Sequence, residues 1–362
     1  MKIKAIISHR AELLANLHRT YYHIKSHGVD VCMVEDNPAM GCGYRRHQAI
    51  MSTDADAVLI CDAHMKFSAG YFDGVIEHLK KHPQDVTCSR MQSLDHDWDE
   101  LPGEIYAGAY IKLFDRWEQN YFPICAKWRK HDTGNGSIGA VMGACYGMTV
   151  DHYVNMGQPL SMLRAWGCDE EILSIASWMS GGRVRLIDGI AYHMFAAPRT
   201  RSFKMTHEER VSYYANRIAI VNAIPMPDKL QKQMIDHYRK TRFVYENKAA
   251  ITTQLDAVMP EIERVHDALS ENDTDFSFII EHFNESGNDA EEQKDMAKRI
   301  KADKQRVKRS YTQAPLVVDA GVKCPHCGHC YDHHITHTYP NGNRRRICSA
   351  CNRRFISRRN KC

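Results

Sequence analysis

Ala57-Val58-Leu59-Ile60-Cys61-Asp62-Ala63-His64 is a run of five apolar residues that ends in an acid and an imidazole two positions apart. A short, unbroken apolar run reads as a strand covered on both faces, the habit of a parallel sheet with helices packed on each side. In open α/β sheets ligands collect at the carboxyl ends of the strands, so Asp62 and His64 stand where a metal would be met. Working outward, Lys2–Ile7 and Val29–Glu35 read as strands with helix 11–27 between them, and a helical stretch from Gly43 to about Thr53 leads into the quoted run. Downstream, Glu171–Met179 reads as a helix stopped by Gly181-Gly182, and Val184–Ile187 as another strand. Residues 1–205 therefore carry the rhythm of an α/β, Rossmann-like domain.

The rest of the chain is built differently. Residues 206–309 show periodic apolar positions, many charges and few β-runs, a helical region that includes the charged stretch Asp289–Arg309. Residues 310–321 read as a linker, and 322–362 as a small separate module. There Cys324-Pro-His-Cys327 is followed by Cys348-Ser-Ala-Cys351, the spacing of a zinc ribbon with four thiolates around one structural Zn2+. Between the two knuckles, Pro340-Asn341-Gly342-Asn343 supplies a β-hairpin turn. So small a module cannot bury a core, and the metal must supply most of its folding energy. From Val322 to Cys362 nine Lys/Arg face one acid, Asp332; this +8 within a chain of net charge +4 leaves the remainder at −4. A basic module on a mildly acidic body reads as a nucleic-acid handle, with Arg344, Arg345, Arg346, Arg353, Arg354, Arg358 and Arg359 as the phosphate contacts.

Composition removes several classes. No run approaches the roughly 20 apolar residues of a membrane span, and the opening Met1-Lys2-Ile3-Lys4-Ala5-Ile6-Ile7 turns polar too quickly for a signal peptide. The chain has 13 cysteines, but outside the ribbon they are scattered singly, which fits a reducing cytoplasm and thiolate–zinc chemistry better than a disulfide framework. The expected location is cytoplasmic, in an infected bacterial host if the protein is viral.

The order of landmarks over residues 1 to about 200 resembles the nucleotide-sugar glycosyltransferases of the GT-A fold, most like the polypeptide N-acetylgalactosaminyltransferase branch and its family-two relatives. Ile3–Ser8 stands where these enzymes open their nucleotide-binding half, with Ser8 and Arg10 at its end. Val31-Cys32-Met33-Val34-Glu35-Asp36 resembles the second strand, whose terminal acids contact the uridine, and Gly43-Tyr44-Arg45-Arg46 the glycine–arginine helix start after it. Asp62-Ala63-His64 matches the D-x-D or D-x-H motif, and Tyr192-His193-Met194-Phe195 the H-x-F segment whose histidine is the third metal ligand. Trp166-Gly167-Cys168-Asp169-Glu170-Glu171-Ile172-Leu173-Ser174, with Trp178 and Gly181-Gly182, is similar to the family's W-G-G-E stretch; Gly143-Ala144-Cys145-Tyr146-Gly147 is similar to the segment facing the sugar. The resemblance implies Mn2+ or Mg2+ on Asp62, His64 and His193. It also implies a UDP-sugar held near Ser8, Arg10, Glu35, Asp36, Arg46, Asp62 and Trp166, and a catalytic carboxylate at Asp169 or Glu170. Four departures stand out. Cys168 replaces the second glycine, Asp169 the usual Glu and Ile172 a later acid, while Ser8-His9-Arg10 lacks the P-T-Y-N character.

Chemistry supports this expectation. Glycosyl transfer places negative charge on a departing diphosphate, which a divalent cation stabilises. One carboxylate with two imidazoles suits Mn2+ and leaves positions for phosphate oxygens. A basic zinc ribbon on such an enzyme implies a nucleic-acid acceptor. Ordinary bases lack an exocyclic alcohol, but 5-hydroxymethylcytosine and 5-hydroxymethyluracil carry one, and viruses of bacteria glycosylate such bases. The sequence thus looks like a bacteriophage DNA-modifying glycosyltransferase that moves a sugar, with glucose the first expectation, from a UDP-sugar to a hydroxymethylpyrimidine in double-stranded DNA. The alternatives are a protein or polysaccharide acceptor, or a DNA-binding protein with an inactive transferase fold. A single chain leaves open the oligomeric state, and whether the anomeric configuration is kept.

Overall fold

The computed structural model describes residues 1–10, 12–37, 40–117, 119–130, 136–195, 205–272, 274 and 276, and beyond these the backbone of 317–319, 334–338, 344–347 and 354–358. Two compact units form, Met1–Ser286 and Gly287–Cys362.

The first unit is organised around an eight-stranded mixed sheet. Its strands are β1 (Ile3–His9), β2 (Asp30–Glu35), β3 (Ala57–Asp62), β4 (Met65–Phe67), β5 (Val86–Ser93), β6 (Tyr106–Ala107), β9 (Cys145–Thr149) and β10 (Val184–His193), while β7 (Ala109–Trp117) and β8 (Asn120–Trp128) make a separate hairpin. The order across the sheet is β2-β1-β3-β9-β5-β10-β4, with β6 beside β5. Strand β1 runs parallel to β2 and β3, and β5 parallel to β10, whereas β9 lies antiparallel between β3 and β5. Two reversals through β9 restore direction, so β3 and β10 end on the same edge. All five apolar residues of β3, Ala57 to Cys61, are fully buried, as expected of a strand covered on both faces.

Helices α1 (Leu14–Ser26), α2 (Cys42–Met51), α3 (Tyr71–Lys81), α4 (Val150–Asn155) and α5 (Asp169–Met179) connect these strands. The expected helices 11–27 and 43–53 are slightly shorter than read. Helix α5 begins two residues before the expected Glu171, and β10 runs on past Ile187 through an irregularity to His193. The helical region expected after 206 holds α6 (His207–Ala223), α7 (Asp228–Tyr238), α8 (Arg242–Glu246), α9 (Lys248–Asp256) and α10 (Met259–Ser270). Thr206 opens α6 with a capping box: its hydroxyl accepts from the Glu209 amide, and the Glu209 carboxylate accepts from the Thr206 amide. Ala219, Ile220, Val221, Ile262, Val265 and Leu269 of these helices join the same core cluster as β1 and β3. No helix among the described residues is long and apolar enough to cross a membrane.

The second unit contains a four-stranded sheet in the order β11 (Val317–Asp319), β14 (Arg354–Arg358), β13 (Arg344–Ile347), β12 (His334–Thr338). Strands β12 and β13 pair antiparallel on either side of residues 339–343, where the turn is expected. Three residues of the stretch read as a linker form β11, which pairs parallel to β14. Asp289–Arg309, the ribbon cysteines Cys324, Cys327, Cys348 and Cys351, and Arg353 and Arg359 lie outside the described residues.

Candidate metal and nucleotide-sugar site

The histidines meet because of one strand pairing. After Asp62 the chain turns and passes beyond β9 and β5, and β4 pairs antiparallel with β10, Met65 opposite His193. His64, one residue before β4, is thereby set beside His193, and the Met194 amide donates to the His64 carbonyl at 3.2 Å. Helix α1 locks the turn: the Thr20 hydroxyl donates to the Ala63 carbonyl (3.0 Å) and accepts from the Met65 amide (2.9 Å).

Asp62, His64 and His193 form the one cluster among the described residues that could hold a metal, with ligand atoms all within 4.8 Å of one another. His64 Nε2 lies 3.1 Å from His193 Nε2, which in turn lies 3.3 Å from Asp62 Oδ2. Donor atoms of a six-coordinate ion with bonds of about 2.2 Å sit about 3.1 Å apart when adjacent, so the spacing fits a divalent cation. The donor set fits as well, one hard oxygen and two imidazoles. Behind the cluster, His64 Nδ1 faces Glu12 Oε2 at 3.1 Å, while His193 Nδ1 is buried without a hydrogen-bond partner. Burial works against the charged form of Asp62, but the hydrogen bond from His193 and the charges of His193 and Arg46 hold its carboxyl below the usual range. Burial lowers His193; for His64, the hydrogen bond and charge of Glu12 and the charge of Asp62 outweigh burial and raise it.

Arg46 is the second centre. Its side chain is 7% exposed and its nitrogens reach Asp62 Oδ1 (3.3 Å), Asp169 Oδ2 (2.6 Å), Ser8 Oγ (2.9 Å) and Tyr146 OH (3.4 Å). Two close approaches seat it. Gly41, at φ +84°, leaves no space for a Cβ, which would fall 2.0 Å from the Ala165 nitrogen, and a Cβ on Gly43 would fall 2.8 Å from that of Leu163. Tyr146, on β9 within the segment expected to face the sugar, also donates to Asp169 at 3.1 Å. Asp169 is therefore committed to Arg46.

Glu170 is held differently. Its Oε1 accepts from Trp128 Nε1 (2.8 Å) and from the Gly143 amide (2.5 Å), and a Cβ at Gly143 would lie 2.7 Å from that oxygen. Burial, followed by the charges of Glu171 and Asp169, pushes its carboxyl up to about 8.

Just past the end of β1, Arg10 bonds Glu209 and lies 3.7 Å from Asp36 Oδ2. Burial raises the Asp36 carboxyl despite Arg10, and its Oδ1 is buried without a partner. The other expected donor-site residues stand apart: the Glu35 side chain is exposed, and Trp166, 46% exposed, stacks on Tyr213 at a centroid distance of 6.2 Å. The sequence reading missed Glu12, Trp128 and Glu209. Glu12 alone had a signal, a carboxylate in the short connection between the first strand and the first helix.

No protein-family model matches the chain, and no curated protein matches it by sequence. Among solved structures it is similar to GalNAc-T7 crystallised with UDP, GalNAc and Mn2+, at a TM-score of 0.56 and 12% identity, over 80% of this chain. The chain spans 58% of that structure's length. Staphylococcus aureus TarS 1–349 in complex with UDP-GlcNAc aligns at a TM-score of 0.36 and 11% identity, over 74% of this chain and 84% of that one. The fold is of the GT-A glycosyltransferase type, and the first of these alignments carries that statement.

Proposed function

We propose that the protein is a metal-dependent glycosyltransferase that moves a sugar, glucose being the first candidate, from a UDP-sugar to the hydroxymethyl group of 5-hydroxymethylcytosine or 5-hydroxymethyluracil in double-stranded DNA. The observation that carries the transferase reading is the convergence of Asp62, His64 and His193 at the carboxyl edge of a GT-A sheet. In this reading those three residues hold Mn2+ or Mg2+, and the bound cation stabilises the charge that develops on the departing diphosphate. Arg46 keeps Asp62 ionised from behind and ties it to Asp169. Ser8, Arg10 and Asp36 bracket the uridine, and the partnerless Asp36 oxygen is an acceptor there.

The bond from the anomeric carbon to the diphosphate oxygen breaks, and the hydroxymethyl oxygen forms the new one. If configuration inverts, the hydroxyl proton passes to a carboxylate, and Glu170 is the group we assign. A carboxyl held near 8 is matched to a proton acceptor working near neutrality. If configuration is retained, Glu170 positions the hydroxyl and the proton leaves with the phosphate.

Support for a nucleic-acid acceptor comes from charge. The ribbon segment carries the arginines described above. On the first unit, Arg210, Arg239, Lys240, Arg242 and Lys248 are exposed, as is Tyr245 at 80%, with Arg239 and Arg242 paired to Asp236 and Glu246 and Arg210 over the Phe243 ring. Binding through such groups weakens with salt, and the target base would leave the stack to reach the donor.

The test is UDP release from a panel of UDP-sugars with Mn2+, with and without DNA bearing either hydroxymethylpyrimidine. The expected result is release that depends on modified DNA, a matching mass gain in its nucleosides, and loss of both in Asp62→Ala while DNA binding persists. DNA binding with no DNA-dependent release from any donor would sink the proposal in favour of an inactive transferase fold.

A further inference from the structure

We infer that Glu12 is a positioning residue for the metal site: it fixes His64 in the tautomer that carries hydrogen at Nδ1, so that the Nε2 lone pair faces Asp62 and His193. This rests on the metal reading of those three residues.

The two imidazoles are supported unequally. His193 has no hydrogen-bond partner at Nδ1, and its ring is set by packing, edge-on to Phe195 at 4.4 Å between centroids. His64 has a carboxylate there, Glu12 Oε2 at 3.1 Å. Glu12 is itself held: its side chain is 14% exposed, and Oε1 accepts from Asn16 Nδ2 at 3.0 Å. Asn16 lies in the first turn of α1, and one turn further along the same helix Thr20 grips the backbone on both sides of His64. Helix α1 thus fixes the main chain of this ligand through Thr20 and its ring through Asn16 and Glu12.

The chemistry of the contact is directional. A carboxylate only accepts, so the hydrogen between them belongs to His64 Nδ1, and Nε2 is left with its lone pair. A carboxylate at the far nitrogen also makes the imidazole a stronger ligand, and removing such a partner costs about 10–100-fold in metal affinity. His193 has no equivalent partner among the described residues, so the chain relies on Glu12 for this support.

The experiment uses the full chain without nucleotide. Mn2+ is titrated in and the free ion is followed by electron paramagnetic resonance, with Asp62→Ala as reference. Glu12→Leu removes the acceptor and should weaken Mn2+ binding about 100-fold. Glu12→Gln keeps an acceptor oxygen but loses the charge, and its amide also donates to the opposite tautomer; a loss of about tenfold is expected. In metal-free protein, imidazole 15N shifts should place hydrogen on His64 Nδ1 in the wild type and mix the tautomers in Glu12→Leu. Urea unfolding checks that the variants fold, and if Glu12→Leu does not, Glu12→Gln decides alone. Wild-type Mn2+ affinity in the variants, with Asp62→Ala unable to bind, overturns the role of Glu12 and leaves the metal site standing. Failure of the wild type to bind Mn2+ more tightly than Asp62→Ala overturns both.

Discussion

Replacing Arg46 by Met should cost about 3–5 kcal/mol of folding stability, the loss expected when one member of a buried ion pair is removed. Most of that arises at Asp169, whose side chain is 12% exposed and would keep only the Tyr146 hydroxyl among the bonds described here. Asp62, at 31%, is partly served by water and contributes less. Removing both charges should therefore be far milder than removing one. Arg46→Met combined with Asp169→Asn leaves an unbranched side chain of similar length and an amide that still meets Tyr146, at a cost of about 1–2 kcal/mol. Asp169→Asn alone should cost about 2 kcal/mol, the scale of a charge-assisted hydrogen bond. The cycle then closes with a coupling energy of about 3–6 kcal/mol, large because the residues touch. The assay is urea unfolding at pH 7 with divalent ions chelated, read as midpoint shifts at constant m-value. The deficit of the single variant should also vary with pH. Without Arg46, burial holds the Asp169 carboxyl further above the unfolded-state value, so the folded form keeps a proton that the unfolded form releases. The deficit should then be small below pH 4 and grow as pH rises. A double variant as unstable as the sum of the two singles would refute the account of Arg46 as the partner of Asp169.

Two further outcomes follow from the same site. Glu170→Gln removes a carboxyl whose folded value is near 8 and whose ordinary value is 4.5, so the wild type loses stability as pH rises through that interval and the variant does not; from pH 5 to 8 their difference should move by roughly 1–3 kcal/mol in favour of Gln, and parallel pH profiles in thermal unfolding would contradict it. Cys168 sits at φ +77°, a conformation that costs a side-chain-bearing residue about 1–2 kcal/mol. Cys168→Gly should therefore be more stable than Cys168→Ala by about 1 kcal/mol in urea unfolding, the reverse of the order in a helix interior; Ala matching or exceeding Gly would show that the strain is not there.

Two departures, Cys168 just before α5 and Ile172 on it, are the residues that favour an inactive fold. Cys168 stands at a left-handed backbone angle, one that glycine adopts freely, and the acid that follows it reaches Arg46. Ile172 is fully buried in the core, and the substitution changes packing without adding or removing a group at the metal cluster. Strand β3 was legible because burial on both faces demands an unbroken apolar run, and the end of that strand located Asp62. The partnership of His64 with His193 spans 129 positions and depends on β4 crossing to β10, a pairing that leaves no local pattern; only the order of family-like segments anticipated it. Strand β9 was passed over for the same reason, since its partners β3 and β5 lie far along the chain; the β7–β8 hairpin was passed over although its strands pair locally, with each other. Arg46 read as one of a charge pair at a helix start, and nothing in Gly43-Tyr44-Arg45-Arg46 distinguishes it from Arg45. What separates them is tertiary: Arg45 turns to the Glu35 carbonyl and Gln48, while Arg46 is turned inward among two carboxylates and two hydroxyls. A full charge is tolerated at that depth because Asp62 and Asp169 share it, and this arrangement leaves Asp62 ionised, the state in which a carboxylate binds a cation.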